Sequence, residues 1–252
     1  EVDLPEETVR SLFEQEMPRH RNPKDALQAV REKLHNIVAP YLGDPDYTLM
    51  AKELEEAFAD GDPQMVKFIC AQILAAHAST RERLDILEEF YRRIFATIGR
   101  PARILDVACG LNPFAFPWMG LSNMVEYHAY DLHHPRVELI NHYFRLQGLQ
   151  PLARVQDVLV RPPEETAEVA FLFKEAHRIE QRQKGANLPL WQALKVRYIL
   201  VSLPLESLSG KHNLMERQRH LVQQVTQGQP WHVSEMIFKN EIIFVVDKGY
   251  GA

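Results

Sequence analysis

The sequence predicts an α/β fold: a mostly parallel, Rossmann-like sheet closed by a C-terminal antiparallel hairpin and preceded by a small all-helical domain. Three observations predict it. From residue 102 onward short apolar strands alternate with segments of helical periodicity, the pattern of a doubly wound parallel sheet. The stretch Arg103-Ile-Leu-Asp-Val-Ala-Cys-Gly-Leu-Asn-Pro113 reads as a strand, a small-residue turn and a helix start. Before residue 100 no strand pattern occurs, and apolar residues recur at helical spacing. The expected division is 1–77 for the helical domain and 78–252 for the sheet domain.

Pro5 opens the first helix, in which Val9, Leu12 and Phe13 fall on one face. Asn22-Pro23 gives cap and first-turn residue to a second helix with the stripe Ala26, Leu27, Val30, Leu34, Ile37 and Val38, stopped by Pro40. The acidic stretch 44–60 reads as helical. Asp62-Pro63 starts another helix with Val66, Ile69, Cys70 and Ile73 inward. Ser79 and Glu82 have capping-box spacing, which predicts one helix running through Leu84, Leu87, Phe90, Tyr91, Ile94 and Phe95 to Gly99. Arg81 and Arg83 fall in its first turn, where the helix dipole disfavours cations. Each therefore requires an anion, either the carboxylate of a bound ligand or a neighbouring acid.

Strands are expected at Arg103–Val107, at 125–130 ending on Asp131, at 152–156 ending on Asp157, at 169–173 ending on Lys174, and at 198–203 closed by Pro204. A helix carrying Val137, Leu139, Ile140, Tyr143 and Phe144 follows the second strand, and a polar helix at 175–184 follows the fourth. A loop at 206–213 leads to a helix ending near Gly228. Two last strands, 231–238 and 242–246, flank Lys239-Asn240-Glu241, a turn suited to an antiparallel hairpin.

The bulk numbers narrow the class. The 252 residues are 46% hydrophobic and 25% charged, a globular balance for one large domain or two smaller ones. No run is long and apolar enough to span a membrane, and no signal peptide is visible. The first residue is Glu1 rather than methionine, so residues before it are expected. Cys70 and Cys109 cannot make a disulfide framework or a four-cysteine zinc site, which fits a reducing, cytoplasmic setting. His133-His134-Pro135 lacks a third ligand at metal spacing, so no metal is expected. The net charge of -5 argues against nucleic-acid binding by the whole surface but allows a local basic patch. Arg10, Arg19, His20, Arg21, Lys24, Arg31, Lys33 and His35 form such a cluster. Glu14, Glu16, Asp25 and Glu32 are interleaved with it, so a plain solvated surface fits the same residues.

In open α/β sheets, ligands lie outside the carboxyl ends of the strands. Only Gly110 follows the first strand, so the three-glycine dinucleotide fingerprint is not met. An acidic strand end and a one-glycine turn suit S-adenosylmethionine better, although an ordinary βα turn is also compatible. Asp131 can accept hydrogen bonds from both ribose hydroxyls. Asp157 can take the adenine amino group, with Leu132 or Val158 over the ring. Phe173-Lys174-Glu175-Ala176 is not the Asp/Asn-Pro-Pro-Tyr/Phe motif of amino-methylating enzymes, and no cysteine stands there for cytosine C5 chemistry. Methylating a ring nitrogen such as guanine N7 needs neither, because N7 loses no proton. Orientation alone can supply roughly 7–11 kcal/mol. Lys211 and His212 suit either phosphate contact or an ordinary surface loop.

As a set, these residues resemble a known family. Thr8-Val-Arg10, Arg19-His20, Pro23-Lys24, Arg31 to His35, His77-Ala-Ser-Thr-Arg-Glu-Arg-Leu84 and Leu105-Asp-Val-Ala-Cys-Gly-Leu-Asn-Pro113 carry the resemblance. So do Asp131-Leu-His133, Gln156-Asp-Val-Leu159, Phe173-Lys174, Val201-Ser202 with Pro204, Ser207-Leu208 and Met215-Glu216. The chain is similar over nearly its whole length to the 16S ribosomal RNA guanine-N7 methyltransferases that modify guanine 1405 of the decoding site and confer aminoglycoside resistance. The resemblance implies a Rossmann-like class I S-adenosylmethionine-dependent methyltransferase, with S-adenosylhomocysteine as product. It implies that Arg83 holds the methionine carboxylate, that Ala108, Gly110, Leu132, Gln156 and Val158 line the cofactor, and that Asp131 and Asp157 hold ribose and adenine. Lys174 and Glu180 would be catalytic, with Lys174 and Lys211 near the target nucleotide and Glu180 supporting that region. Arg10, Arg19, Arg21, Lys24, Arg31 and Lys33, in the 1–77 domain, would dock on 16S rRNA in the 30S subunit. A metal-free, cytoplasmic monomer is expected.

Two departures bear on the substrate. Glu175-Ala-His-Arg-Ile-Glu180 replaces the family's apolar Leu-Pro turn, and Leu205-Glu206 replaces a basic pair. Both acids are expected to add negative charge beside RNA. They keep open methyl transfer to another RNA site or a small molecule; a non-enzymatic 30S-binding relative is the third reading.

Overall fold

The computed structural model describes residues 4–38, 44–205 and 214–249. The N-terminal part is helical, as the periodicity predicts: α1 (Glu6–Glu16), α2 (Pro23–Val38), α3 (Tyr47–Ala59) and α4 (Pro63–Ala76). Asp46 and Asp62 cap α3 and α4 by accepting from the backbone N–H of Leu49 and Gln64. In the first pair of helices Leu12, Ala26 and Val30 are buried, whereas Leu27 is exposed on the other side of its helix.

The helix expected from Ser79 to Gly99 is broken. The structure has a single turn α5 (Ala78–Arg81), a 3-10 turn Leu84–Ile86 and then α6 (Leu87–Ile98), with Gly99 left-handed at its end. The capping box does not form. Ser79 lies inside α5, Thr80 returns its hydroxyl to the carbonyl of Leu74, and Glu82 reaches a partner 92 residues away. Long-range polar contacts override a local signal here.

Among the described residues seven strands form one sheet: β1 (Arg103–Val107), β2 (Glu126–Asp131), β3 (Ala153–Val155), β4 (Thr166–Phe173), β5 (Lys195–Pro204), β6 (His232–Ile237) and β7 (Glu241–Asp247). Their order is β3-β2-β1-β4-β5-β7-β6. The first five pair in parallel, and β7 runs antiparallel to both β5 and β6. The hairpin is as expected, with one correction: Glu241 is the first residue of β7 rather than part of the turn. Between strands lie α7 (Phe116–Met119), α8 (His134–Gln147), α9 (Ala176–Arg182), α10 (Asn187–Ala193) and α11 (Met215–Thr226). The sequence reading missed α10, whose seven residues are too few to show a helical period.

The sheet is covered on both faces, and side chains alternate between the two sides along each strand. Ile104, Val169 and Phe171 join one core with Ile69, Ile73, Phe90, Tyr91 and Phe144. Leu105, Val107, Ala170 and Leu172 join the other with Ile179, Trp191 and Val222. Leu54 of α3 and Ile69 and Ile73 of α4 share the first of these cores with the sheet. The carboxyl ends of β1, β2 and β4 therefore open beneath α4, α5 and α9, and that edge holds the site. Among the described residues no helix is long and apolar enough to cross a membrane.

Candidate functional site

A cavity of about 360 Å3 opens at that edge, lined by Arg83, Ala108, Gly110, Asp131, Lys174 and Glu175 among others. The turn after β1 shapes its floor. Ala108 has φ 53° and Gly110 has φ 54°, so the backbone curls in the left-handed region. A Cβ on Gly110 would meet nothing within 4 Å, which leaves open space against its backbone. The N–H of Gly110 donates to Asp131 Oδ2 at 3.0 Å. Asp131, 3% exposed, also accepts from the His133 N–H and from Arg136 at 3.0 Å. Arg136 in turn reaches Asp44, which accepts from His77 as well and lies 3.1 Å from His133 Nδ1. Burial raises the Asp44 carboxyl, but bonds from His133 and His77 and the Arg136 charge outweigh it and hold it well below the usual range. His133, just before α8, thus belongs to a hydrogen-bonded cluster, while His134 and Pro135 open the helix.

Arg83 is 2% exposed. Its Nε and Nη2 donate to Glu241 at 3.0 and 2.5 Å, its Nη1 donates to Asn112 at 3.2 Å, and the guanidinium lies 4.3 and 4.7 Å from the ring centroids of Phe90 and Phe173. The anion that the sequence required beside Arg83 is therefore present within the protein. Burial raises the Glu241 carboxyl, yet the Arg83 and Lys174 charges hold it below its ordinary value. Arg81 instead donates to the Ala75 carbonyl.

Lys174 directly follows β4 with φ 57°, a left-handed conformation that costs a non-glycine residue energy and clusters at functional sites. Its Nζ donates to Glu82 at 2.6 Å and lies 3.9 Å from Glu241. Its N–H donates to the Ser202 carbonyl, so β5 fixes the strand end.

A narrower recess of about 50 Å3 continues past Asp131, between Leu132, Gln156, Asp157, Val158 and Arg182. Asp157, 1% exposed, accepts from Thr8 Oγ1 at 2.8 Å, from the Leu159 N–H at 3.1 Å, and from Arg182 through both oxygens. A carboxylate has about four lone-pair sites. All are used, so an adenine amino group reaches Asp157 only if Arg182 or Thr8 yields. The Gln156 side chain donates to the Arg161 carbonyl and braces this wall.

Several expectations are corrected. Asp106 is the penultimate residue of β1 rather than its end and lies beneath the turn, accepting from Asn112 and Tyr127, and burial pushes its carboxyl up to about 7. The Asn112 side chain bridges Asp106 and Arg83. Glu180, expected to be catalytic, lines neither recess: it accepts from the Gly185 N–H and the Asn187 side chain, tying α9 to α10. Glu175 is partly buried, its side chain 28% exposed. It precedes α9 at the waist between the two recesses, where burial pushes its carboxyl up to about 7. Lys211, His212 and Glu206 lie outside the described residues. Sequence reasoning missed Glu241, Asp44 and Arg182, whose partners lie far away in the chain, and Arg136, which joins the nearby Asp131 to the distant Asp44.

The N-terminal cations remain on the surface, with Arg21, Lys24 and Arg31 exposed. Arg19 and Lys33 both bind the buried Glu16, at 2.8 and 2.7 Å, and Arg10 pairs with Glu6.

A sheet with this strand order, a one-glycine turn after β1 and an acid closing β2 define an S-adenosylmethionine-dependent methyltransferase. The chain belongs to the ribosomal RNA methyltransferase (FmrO) family, whose model matches residues 3–245. It is 33% identical over 210 residues to a 16S rRNA (guanine(1405)-N(7))-methyltransferase of Serratia marcescens, covering 83% of this chain and 78% of that one. A protein of the same description from Micromonospora rosea is 31% identical over 245 residues, covering 96% and 89%. The crystal structure of the 16S rRNA methyltransferase RmtF in complex with S-adenosyl-L-homocysteine superimposes with a TM-score of 0.78 at 31% identity, covering 98% of this chain and 92% of that one.

Proposed function

We infer that this protein transfers a methyl group from S-adenosylmethionine to N7 of guanine 1405 in 16S rRNA, within the 30S subunit. The observation that carries the reading is the cavity at the ends of β1, β2 and β4, where the Ala108–Gly110 turn and Asp131 face open space beside Lys174. The relatives that match along nearly the whole chain supply the substrate.

The residues fit the cofactor. Asp131 would accept from the ribose hydroxyls, with Ala108 and Gly110 against the amino-acid portion and Leu132, Gln156 and Val158 around the adenine. Asp157 would read the adenine amino group after releasing Arg182. Arg83, held in place by Glu241, would face the methionine carboxylate. When bound, the cofactor supplies an electrophilic methyl on a sulfonium. The guanine N7 lone pair forms the new C–N bond as the C–S bond breaks, and no proton is removed, so the site needs no general base. Orientation then supplies most of the rate. Lys174, fixed by β5 and paired with Glu82, would border the reacting nucleotide, and the carboxylate of Glu180 would hold the helix behind it.

We assign residues 1–77 to rRNA docking, through Arg10, Arg19, Arg21, Lys24, Arg31 and Lys33, with Lys211 contributing from the other part of the chain. A metal-free, cytoplasmic monomer is the form that suits this work. Labelled S-adenosylmethionine and 30S subunits test the reading, with primer extension after cleavage at N7-methylguanine. A stop at guanine 1405 is expected, together with resistance to the aminoglycosides that contact it. Label at another position would move the target, and absence of label would overturn the reading.

A further inference from the structure

Arg136 stands in the first turn of α8, directly after His134-Pro135. The helix dipole disfavours a cation there, and the side chain is fully buried, at 0% exposure. A buried arginine needs anions, and this one has two. Its Nη1 lies 3.0 and 3.1 Å from the two oxygens of Asp131, and its Nη2 donates to Asp44 at 2.8 Å. Arg136 borders the cofactor cavity without exposed surface, so anything it does for a cofactor it does through Asp131.

Asp131 is held from three directions. The Gly110 N–H, in the turn after β1, donates to Oδ2 at 3.0 Å. The His133 N–H, just before α8, donates to Oδ1 at 2.9 Å. Arg136 Nη1 straddles both oxygens. A carboxylate has about four lone-pair sites, so three donors fix its plane and still leave a site for a ribose hydroxyl. The straddling nitrogen can close onto one oxygen when a second hydroxyl arrives, because Nη2 remains on Asp44.

Asp44 comes from the helical part, just before α3 and 92 residues from Arg136. Its Oδ1 also bonds His77, which follows α4 and lines the cofactor cavity, and its Oδ2 lies 3.1 Å from His133 Nδ1. Asp44 therefore ties the end of α4 and the start of α8 to one carboxylate, with Arg136 between that carboxylate and Asp131.

We propose that Arg136 and Asp44 are positioning residues for cofactor binding: Arg136 sets the Asp131 carboxylate toward the ribose hydroxyls, and Asp44 holds Arg136 in that place. The proposal rests on the assignment of Asp131 to the ribose in the methyl-transfer reading given above. It gives the 1–77 segment a part in reading the cofactor, since Asp44 reaches the ribose carboxylate through a single side chain.

The test uses the full chain and its Asp44→Ala and Arg136→Lys variants, with urea midpoints to report folding. Calorimetry measures binding of S-adenosylhomocysteine and of its 2′-deoxy and 3′-deoxy analogues. The parent is expected to lose about tenfold or more for a missing hydroxyl that Asp131 accepts from. In both variants S-adenosylhomocysteine affinity is expected to fall, and the penalty for the missing hydroxyl to shrink by about threefold or more, the coupling of groups in one hydrogen-bond network. A merely structural role would lower the affinity for all three ligands by the same factor; a hydroxyl penalty unchanged from the parent in both variants would overturn the proposal. Should Arg136→Lys or Asp44→Ala fail to fold, Asp44→Asn, which keeps the shape of a side chain 11% exposed, decides by the same readouts. A parent that binds all three ligands equally would instead overturn the ribose assignment on which the proposal stands.

Discussion

Glu241 and Arg83 lie 158 residues apart, and their side chains, each 2% exposed, meet at 2.5 Å beneath the cofactor cavity. One comes from the first residue of β7 and the other from the turn before α6. Their bond explains why the helix predicted through residues 79–99 breaks at Arg83, and why an arginine can be tolerated at full burial. Burial alone would favour the neutral form of each; the paired charges outweigh it in both.

Removing one partner of such a pair leaves an uncompensated buried charge. Glu241→Gln should therefore destabilise the protein by about 3–5 kcal/mol, read as a lower denaturation midpoint in urea. The double variant Arg83→Met with Glu241→Gln should recover part of the loss, since neither charge of the pair then remains buried without the other. A single variant as stable as the parent would show that the pair contributes little.

Asp131→Ala should weaken S-adenosylhomocysteine binding by about tenfold or more, because a hydrogen bond to a charged group contributes roughly 1.5–3 kcal/mol. Calorimetry measures this directly. The variant also removes one of the carboxylates that Arg136 bonds, so some loss of stability should accompany it. Unchanged affinity would remove Asp131 from the ribose site.

Glu175 gives the protein a pH dependence of defined sign. Its folded-state carboxyl titrates near 7, above the ordinary 4.5, so between those values the folded protein binds more protons than the unfolded chain. Stability then falls as pH rises through that window. Glu175→Gln should be more stable than the parent at pH 8 and nearly equal at pH 4. The difference at pH 8 should be roughly 1–3 kcal/mol, toward the lower end because the side chain keeps 28% exposure. Equal stability at both pH values would mean that Glu175 is solvated.

Arg19→Glu combined with Arg21→Glu should weaken 30S binding and flatten its salt dependence while leaving cofactor affinity unchanged. Filter binding at several salt concentrations, alongside calorimetry, tests this. Loss of both activities together would point to misfolding around Glu16, to which Arg19 is bonded.

The sequence by itself determined the order of elements and the edge on which the site would lie. Strand periodicity located β1 to its residue, since Ile104, Leu105 and Val107 must each bury one side of a covered sheet. The small residues after β1 and the aspartate closing β2 marked the ligand edge, because backbone conformation and strand direction are local properties. The tertiary structure decided who partners whom. Glu241 looked like a turn residue until β7 paired with β5 and carried it beneath Arg83. Asp157 looked like a free carboxylate until α1 and α9 brought Thr8 and Arg182 against it. Glu175 looked like a surface charge until the turn at Lys174 set it partly buried between the two recesses. A buried charge takes its partner from whatever the fold brings near, and no spacing in the chain records that choice.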